Sequence, residues 1–286
     1  LDITDFERER PNYANARNVR NILDQVLLNQ NLRTDGIKDN NNEIILEDVE
    51  NYISEKGWSV PKKAERQQEN IDFDVAALKD DYFEFEEDID TTYIEQSVIS
   101  ISSNTSQATG FIISKDGFCL TCSHCIEANG SSQKARLSLL MANGKVFHTY
   151  TTFKLVVRDI ENDIALIKLD ETGIEYNYLP LSGANYKYNP LKEFIMAGYP
   201  FGGESYSSLS FTEGKIASVN QIGERKVVFA DMFGKPGSSG SPVIDKSKQR
   251  VIGIFWGGIT QPGTSEMIPC FTPVDVIWNL LNKSSD

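Results

Sequence analysis

The sequence predicts a mainly β protein with a small α-helical domain in front of it. Three observations carry that prediction. From residue 93 onward, short apolar runs alternate with Gly, Asn and Asp. Ahead of residue 60, apolar residues recur at helical spacing. Between the two lies a stretch dominated by acidic side chains. The expected organisation is therefore a helical domain at 1–60, an acidic linker at 61–92 and a β domain at 93–286.

In the first segment Val19, Ile22, Leu23, Val26 and Leu27 fall on one helical face within 13–31. Pro11 cannot extend that helix backwards, and Asp35-Gly36 forms a turn after it. A second helix is expected over 47–56, with Val49, Tyr52 and Ile53 on one face and Gly57 at its end. The linker opens at Pro61 and ends in KDDYFEFEEDID (79–90). Charge runs are usually solvated, which favours a linker. Tyr82, Phe83 and Phe85 leave a second reading open, a strip that docks in a groove.

Strands are expected at 97–102, 110–114, 136–140, 153–159, 164–169, 214–219, 226–230 and 251–256. Many short strands with regular turn signals mean a sandwich or a barrel. Val274, Val276, Ile277, Leu280 and Leu281 then place a helix at the end of the chain.

Charge and cysteine usage exclude several function classes. The net charge is −13, and residues 1–92 carry 23 Asp/Glu against 11 Lys/Arg. Such a balance disfavours nucleic acid and anionic membranes as partners. No apolar run has the length of a membrane span. The four cysteines are Cys119, Cys122, Cys125 and Cys270, three of them within seven residues. That is not the spacing of a secreted disulfide framework, so a reducing, cytoplasmic location is expected.

Two histidines limit the candidates for a general base. His124 lies in LTCSHCI, just after an expected strand, and His148 lies inside KVFHTY. GSSGSP (237–242) presents Ser239 between glycines, in a loop that leads into a strand. Glycines let the chain turn sharply there, so the amides of Gly237 and Ser239 can converge on one oxygen. A nucleophile, a base and oxyanion donors are what acyl transfer requires.

SHC around His124, NDIALIKL around Asp163 and GSSGSP around Ser239 resemble the trypsin-like protease superfamily, and their order matches it. ATGFIISKDGFCLTCSH (108–124), MAGYPFGG (196–203) and FTEGKIASV (211–219) resemble its HtrA/Deg-like branch. The resemblance implies a chymotrypsin-like double β-barrel over 93–286. It implies His124 as base, Asp163 as its orienting carboxylate and Ser239 as nucleophile. Gly237 and Ser239 become the oxyanion hole. Asp159 and Asp170 compete for the orienting role, but only Asp163 opens the IALIKL strand. The primary substrate pocket is implied at Phe233, Phe255, Trp256, Gly257 and Gly258. With Phe233 at its base and no acid in 233–236 or 255–258, cleavage after apolar residues is expected.

Several positions depart from the family pattern. Ser238 stands where zymogen-type members carry an aspartate, so activation by that ion pair is not expected. Ala108 stands where secreted relatives pair a cysteine with the one at Cys125. C119-L-T-C122-S-H-C125 has the spacing of some iron–sulfur sites but lacks a fourth ligand nearby. No metal is expected, and the thiols read as buried and inert.

YANARNVRNILDQVLLNQNLRT (13–34) and ILEDVENYI (45–53) resemble the lid subdomain of CbbX-type AAA+ ATPases. That likeness implies Arg17 as a nucleotide sensor, since a guanidinium binds phosphate bidentately. No phosphate loop of the G-x-x-x-x-G-K-[ST] type occurs. Proteolysis is expected to need no cofactor, and ATP enters only through an ATPase core in a longer protein. The expected function is an intracellular serine endopeptidase acting on protein or peptide substrates. The complete protein would oligomerise through its AAA+ core. The alternative is a catalytically silent protease fold that serves as a regulatory or binding module.

Overall fold

The computed structural model describes residues 73–78 and 90–283, apart from 103–106, 128–132, 141–145, 171–172, 174, 201–207 and 261–266. The helical and lid-like readings of 1–60, with Arg17, lie outside the described residues, as do Tyr82, Phe83 and Phe85.

Among the described residues, thirteen strands form two sheets. The first holds β1 (Val98–Ser102), β2 (Gln107–Ile112), β3 (Phe118–Thr121), β4 (Lys134–Leu140), β5 (Val146–Thr151), β6 (Phe153–Asp159) and β7 (Ile164–Leu169). Their order is β5-β4-β1-β2-β3-β7-β6, every neighbour antiparallel. The second holds β8 (Glu193–Gly198), β9 (Ser210–Ile222), β10 (Arg225–Asp231), β11 (Pro242–Asp245), β12 (Val251–Thr260) and β13 (Met267–Pro273). It closes into a barrel in the order β10-β13-β12-β11-β8-β9. The first of the two expected barrels is thus, among the described residues, a seven-stranded sheet with β5 and β6 at its edges. Both edge strands are only partly covered, while β1 and β3 are buried throughout.

Sequence patterning explains these elements. IALIKL in β7 is buried at all but Lys168, as a central strand covered on both faces should be. In β9, by contrast, buried Gly214 and Ile216 alternate with exposed neighbours, so one face meets the barrel core and the other solvent. Helix α1 (Thr91–Ser97) is capped by Asp90, whose carboxylate accepts from the amides of Thr92 and Tyr93 at 2.9 and 3.0 Å. Helix α2 (Val274–Lys283) buries Val276, Ile277, Leu280 and Leu281, and the indole of Trp278 donates to Ser182 O at 2.7 Å.

The expected strands are present, and several more join them. Glu193–Gly198 and Met267–Pro273 are additions to the second barrel, and Pro242–Asp245 is the strand into which GSSGSP leads. The linker expectation is corrected at 73–78. Phe73 and Val75 are buried in the core of the first sheet, and the Phe73 ring packs on Phe118 at 4.6 Å between centroids. Two apolar side chains without helical or strand periodicity gave no signal of this in the sequence.

If Phe73 anchors that segment, Phe73→Ala lowers the unfolding free energy of the whole chain by about 3 kcal/mol. Urea denaturation measures it. A loss below about 0.5 kcal/mol, the range of surface changes, would return the segment to a linker.

Candidate active site

The pairing of β3 with β7 brings two candidate residues together. Thr121 faces Ala165 in this antiparallel pair, so the chain just after β3 runs beside the chain just before β7. His124 lies on a single 3-10 turn, Ser123–Cys125, that follows β3. Asp163 immediately precedes β7, at a φ of 57°. Asp tolerates this left-handed conformation better than most residues, because its short polar side chain bonds locally. Here the turn aims both carboxylate oxygens at His124. Oδ1 accepts from the His124 backbone N–H at 2.9 Å, and Oδ2 faces Nδ1 at 2.7 Å. Holding a proton on Nδ1 leaves Nε2 as the basic nitrogen.

The competing carboxylates are engaged elsewhere. Asp159 accepts from the backbone and side-chain amides of Asn162 at 2.9 and 2.8 Å, and Asp170 accepts from Thr152 Oγ1. His148 sits on edge strand β5, where Nδ1 meets Ser138 Oγ at 3.2 Å, apart from the His124 cluster.

Ser239 stands in the loop between β10 and β11 of the second barrel, which meets the first sheet at Thr109. Gly237 and Gly240 both take positive φ, 91° and 88°. A Cβ on Gly240 would come within 1.9 Å of Thr109 O, so no other residue fits there. Thr109, on β2, holds this loop in place. Its amide donates to Ser239 O at 2.8 Å and its hydroxyl to Gly237 O at 2.8 Å. The same hydroxyl accepts from the Tyr199 amide at 3.0 Å. Ser239 Oγ donates to Trp256 O at 3.2 Å. Attack on a carbonyl requires that proton to pass to His124 instead. Neither the Gly237 nor the Ser239 amide meets an acceptor among the described residues, so both can serve an oxyanion.

Around His124 the electrostatics are set by close neighbours. Burial alone would lower its pKa, but the Cys125 thiolate and the Asp163 carboxylate outweigh that and raise it to about 10. Cys125 responds oppositely. Donation from the Cys122 thiol opposes burial and, with the His124 charge, brings it down to about 6. Cys122 is fully buried, which pushes its thiol well up. The donor atoms of Cys122, His124 and Cys125 lie within 4.8 Å of one another, close enough for a soft metal to bridge. Cys119 stands outside this group, its thiol directed to Gly117 O at 3.6 Å.

Two residues of the site carried no sequence signal. Thr109 is one, a small polar residue in an otherwise apolar run. Arg225, at the start of β10, is the other. Its guanidinium lies 3.9 Å from Asp163 Oδ2, donates to Thr272 Oγ1 at 3.1 Å and covers the Trp256 ring at 4.1 Å. Thr272 in turn donates to Asn162 O at 3.1 Å, so the second barrel braces the corner that carries Asp163.

The expected pocket needs correction. Phe233 is 84% exposed and cannot form a pocket base. It borders instead a cleft of about 490 Å³ with Met196, Phe211, Lys235 and Ser238. Phe255 is 1% exposed and belongs to the second-barrel core, packed under Gly234. The family resemblance assigns both by position along the chain, which fixes neither how the loop after β10 turns Phe233 nor which face of β12 carries Phe255. Trp256, Gly257 and Gly258 do lie along β12, beside the serine loop. Gly258 allows close approach of β13, since a Cβ would meet Ile268 O at 2.5 Å.

The sequence profile of the trypsin-like peptidase domain matches residues 108–254, about half of the chain. Among similar proteins, a probable periplasmic DegP-like serine endoprotease of Hahella chejuensis is 28% identical over 184 residues, 63% of this chain and 36% of that protein. The chloroplastic Protease Do-like 5 of Arabidopsis thaliana is 27% identical over 177 residues, 59% of this chain and 54% of that protein. The chain thus matches about a third to a half of these relatives' lengths. Among solved structures, the crystal structure of Deg5 superposes with a TM-score of 0.53 at 22% identity, covering 66% of this chain and 88% of the other.

The charge pattern makes two opposite pH effects testable. If His124 acts as base it must be neutral, so activity climbs as pH rises through its raised pKa. Cys125→Ser removes a negative neighbour and shifts the acid limb of kcat/KM to lower pH. Arg225→Gln removes the positive charge that opposes Asp163 and shifts that limb to higher pH. Peptidase pH profiles of the two variants check both signs, and a common direction would contradict the pattern.

Proposed function

Because the chain belongs to the trypsin-like peptidase domain family, we propose that it is a serine endopeptidase with His124, Asp163 and Ser239 as its triad. The observation that carries this is the two-oxygen grip of Asp163 on His124. It favours the tautomer in which Nε2 is the basic nitrogen. In the proposed reaction Ser239 Oγ leaves Trp256 O, gives its proton to His124 and attacks the scissile carbonyl. The amides of Gly237 and Ser239 stabilise the oxyanion. His124 then protonates the departing amine, and water repeats the sequence on the acyl-enzyme.

Substrate would bind as an added strand. Among the described residues, β12 pairs with β11 through Val251, Gly253 and Ile254, whereas its far half pairs with β13. Residues 256–258 thus offer a backbone edge beside Ser239, suited to an extended peptide. No acidic residue occurs in 233–236 or 255–258, so these segments offer no counter-charge to Lys or Arg, and apolar side chains are the proposed preference.

The proposal extends to the HtrA/Deg-like branch and to a reducing, cytoplasmic setting. All four cysteines are free, and no helix among the described residues is long and apolar enough to cross a membrane. Two of the similar proteins are named as periplasmic and chloroplastic. It also keeps residues 1–60 as an AAA+ lid-like domain, with Arg17 as sensor and a homo-oligomer formed through an ATPase core in a longer protein. A second reading, a silent binding module, draws on the Ser239 bond to Trp256 O.

One experiment separates the two. The parent protein should cleave an unstructured protein substrate, and Ser239→Ala and His124→Ala should each lose at least about 10³-fold in kcat. Turnover by Ser239→Ala equal to the parent's would sink the triad. An inactive parent would favour the silent module.

A further inference from the structure

Cys122 and Cys125 bracket His124 on one 3-10 turn. Cys122 caps the turn, and the Cys125 amide donates to Cys122 O at 3.1 Å. Their sulfurs and a His124 ring nitrogen lie within 4.8 Å of one another. Each thiol also has a carbonyl partner in the second barrel. Cys122 Sγ lies 3.3 Å from Phe255 O, and Cys125 Sγ lies 3.8 Å from Ser239 O. The other two thiols are directed elsewhere, Cys119 to Gly117 O and Cys270 to Ile268 O.

We infer that Cys122 and Cys125 are an oxidisable dithiol, a modification site that hydrogen peroxide converts into a disulfide that disables His124. The effect on activity rests on the serine-peptidase reading, whereas the thiol chemistry does not. Cys125 is the attacking member because its sulfur lies beside the imidazole. Its thiolate takes one peroxide oxygen, the O–O bond breaks, and hydroxide leaves to become water on protonation. The sulfenic acid so formed condenses with the Cys122 thiol, forming the S–S bond and releasing a second water. Two thiols lose two hydrogens and the peroxide is reduced to two waters.

Closing the bond changes the site through the turn itself. A disulfide holds its sulfurs about 2.05 Å apart. The sulfurs must therefore leave their positions against Phe255 O and Ser239 O and draw together. His124 lies between them in the chain, and both its bonds to Asp163 start from that same turn. A shift of about 1 Å at such a group can cost on the order of 100-fold in rate.

The test treats the reduced protein with hydrogen peroxide and measures peptide mass and peptidase activity together. All three neighbouring cysteines fall in the tryptic peptide 116–134, so variants assign the bond. The expected result is loss of two hydrogens from that peptide in the parent and in Cys119→Ser, but not in Cys122→Ser or Cys125→Ser. Parent activity should fall by at least about tenfold and return with dithiothreitol. Cys122→Ser should lose less of its own starting activity under the same treatment. No mass change, a mass change that survives in Cys122→Ser, or a disulfide that leaves activity intact would each overturn the inference. Stoichiometric zinc on the purified reduced protein, shielding both thiols, would overturn it too. A reduced parent without activity would fail the peptidase reading, and the dithiol would then stand or fall on the mass change.

Discussion

The hydroxyl of Thr109 sits where the two sheets meet, and the geometry of the site follows from how it is used. It has one proton and gives it to Gly237 O, while its oxygen takes the Tyr199 amide. Its backbone amide holds Ser239 O and its carbonyl takes Thr121 Oγ1. Thr109 is fully buried, so water cannot replace any of these bonds, and each group left without a partner would cost about 1–3 kcal/mol. The serine loop belongs to the second barrel by sequence, yet β2 of the first sheet fixes its position. His124 and Asp163 are fixed to that first sheet by the register of β3 and β7. The three candidate catalytic groups therefore share one reference frame, although they come from both halves of the fold.

Charge around His124 is balanced from two sides. Asp163 and Cys125 favour its protonated form, and Arg225 partly offsets Asp163 from the opposite barrel. Arg225 also covers Trp256, the residue whose carbonyl receives the Ser239 hydroxyl. One guanidinium thus touches both the carboxylate that orients the base and the segment that holds the nucleophile. A loop serine between glycines and a strand-end aspartate become parts of one site only through such contacts.

Much of the fold could be read before any coordinates. IALIKL, SVISIS and VIGIFW are dense, β-branched runs whose burial follows from composition, and all three form buried strands. His124 and Ser239 stand out because few residues of their type occur in such surroundings. Asp163 needs the family resemblance to be preferred over Asp159 and Asp170, and its carboxylate lies against His124. Other parts were not legible. Thr109 and Arg225 act through partners more than 30 residues away, and no local pattern encodes such contacts. Phe73 looked like linker because a lone aromatic has no periodicity to reveal its face. Phe233 and Phe255 were placed by counting along the chain. Loop conformation turned the first outward, and strand alternation turned the second into the core.

The central claim is that Ser239 is a nucleophile activated by His124. Mass mapping of a fluorophosphonate adduct tests it most directly, because the reagent forms a covalent bond with an activated serine. The account predicts one adduct per chain, on Ser239, that fails to form in His124→Ala. An adduct on Ser238 or Ser241, or labelling of Ser239 that persists undiminished without His124, would contradict it.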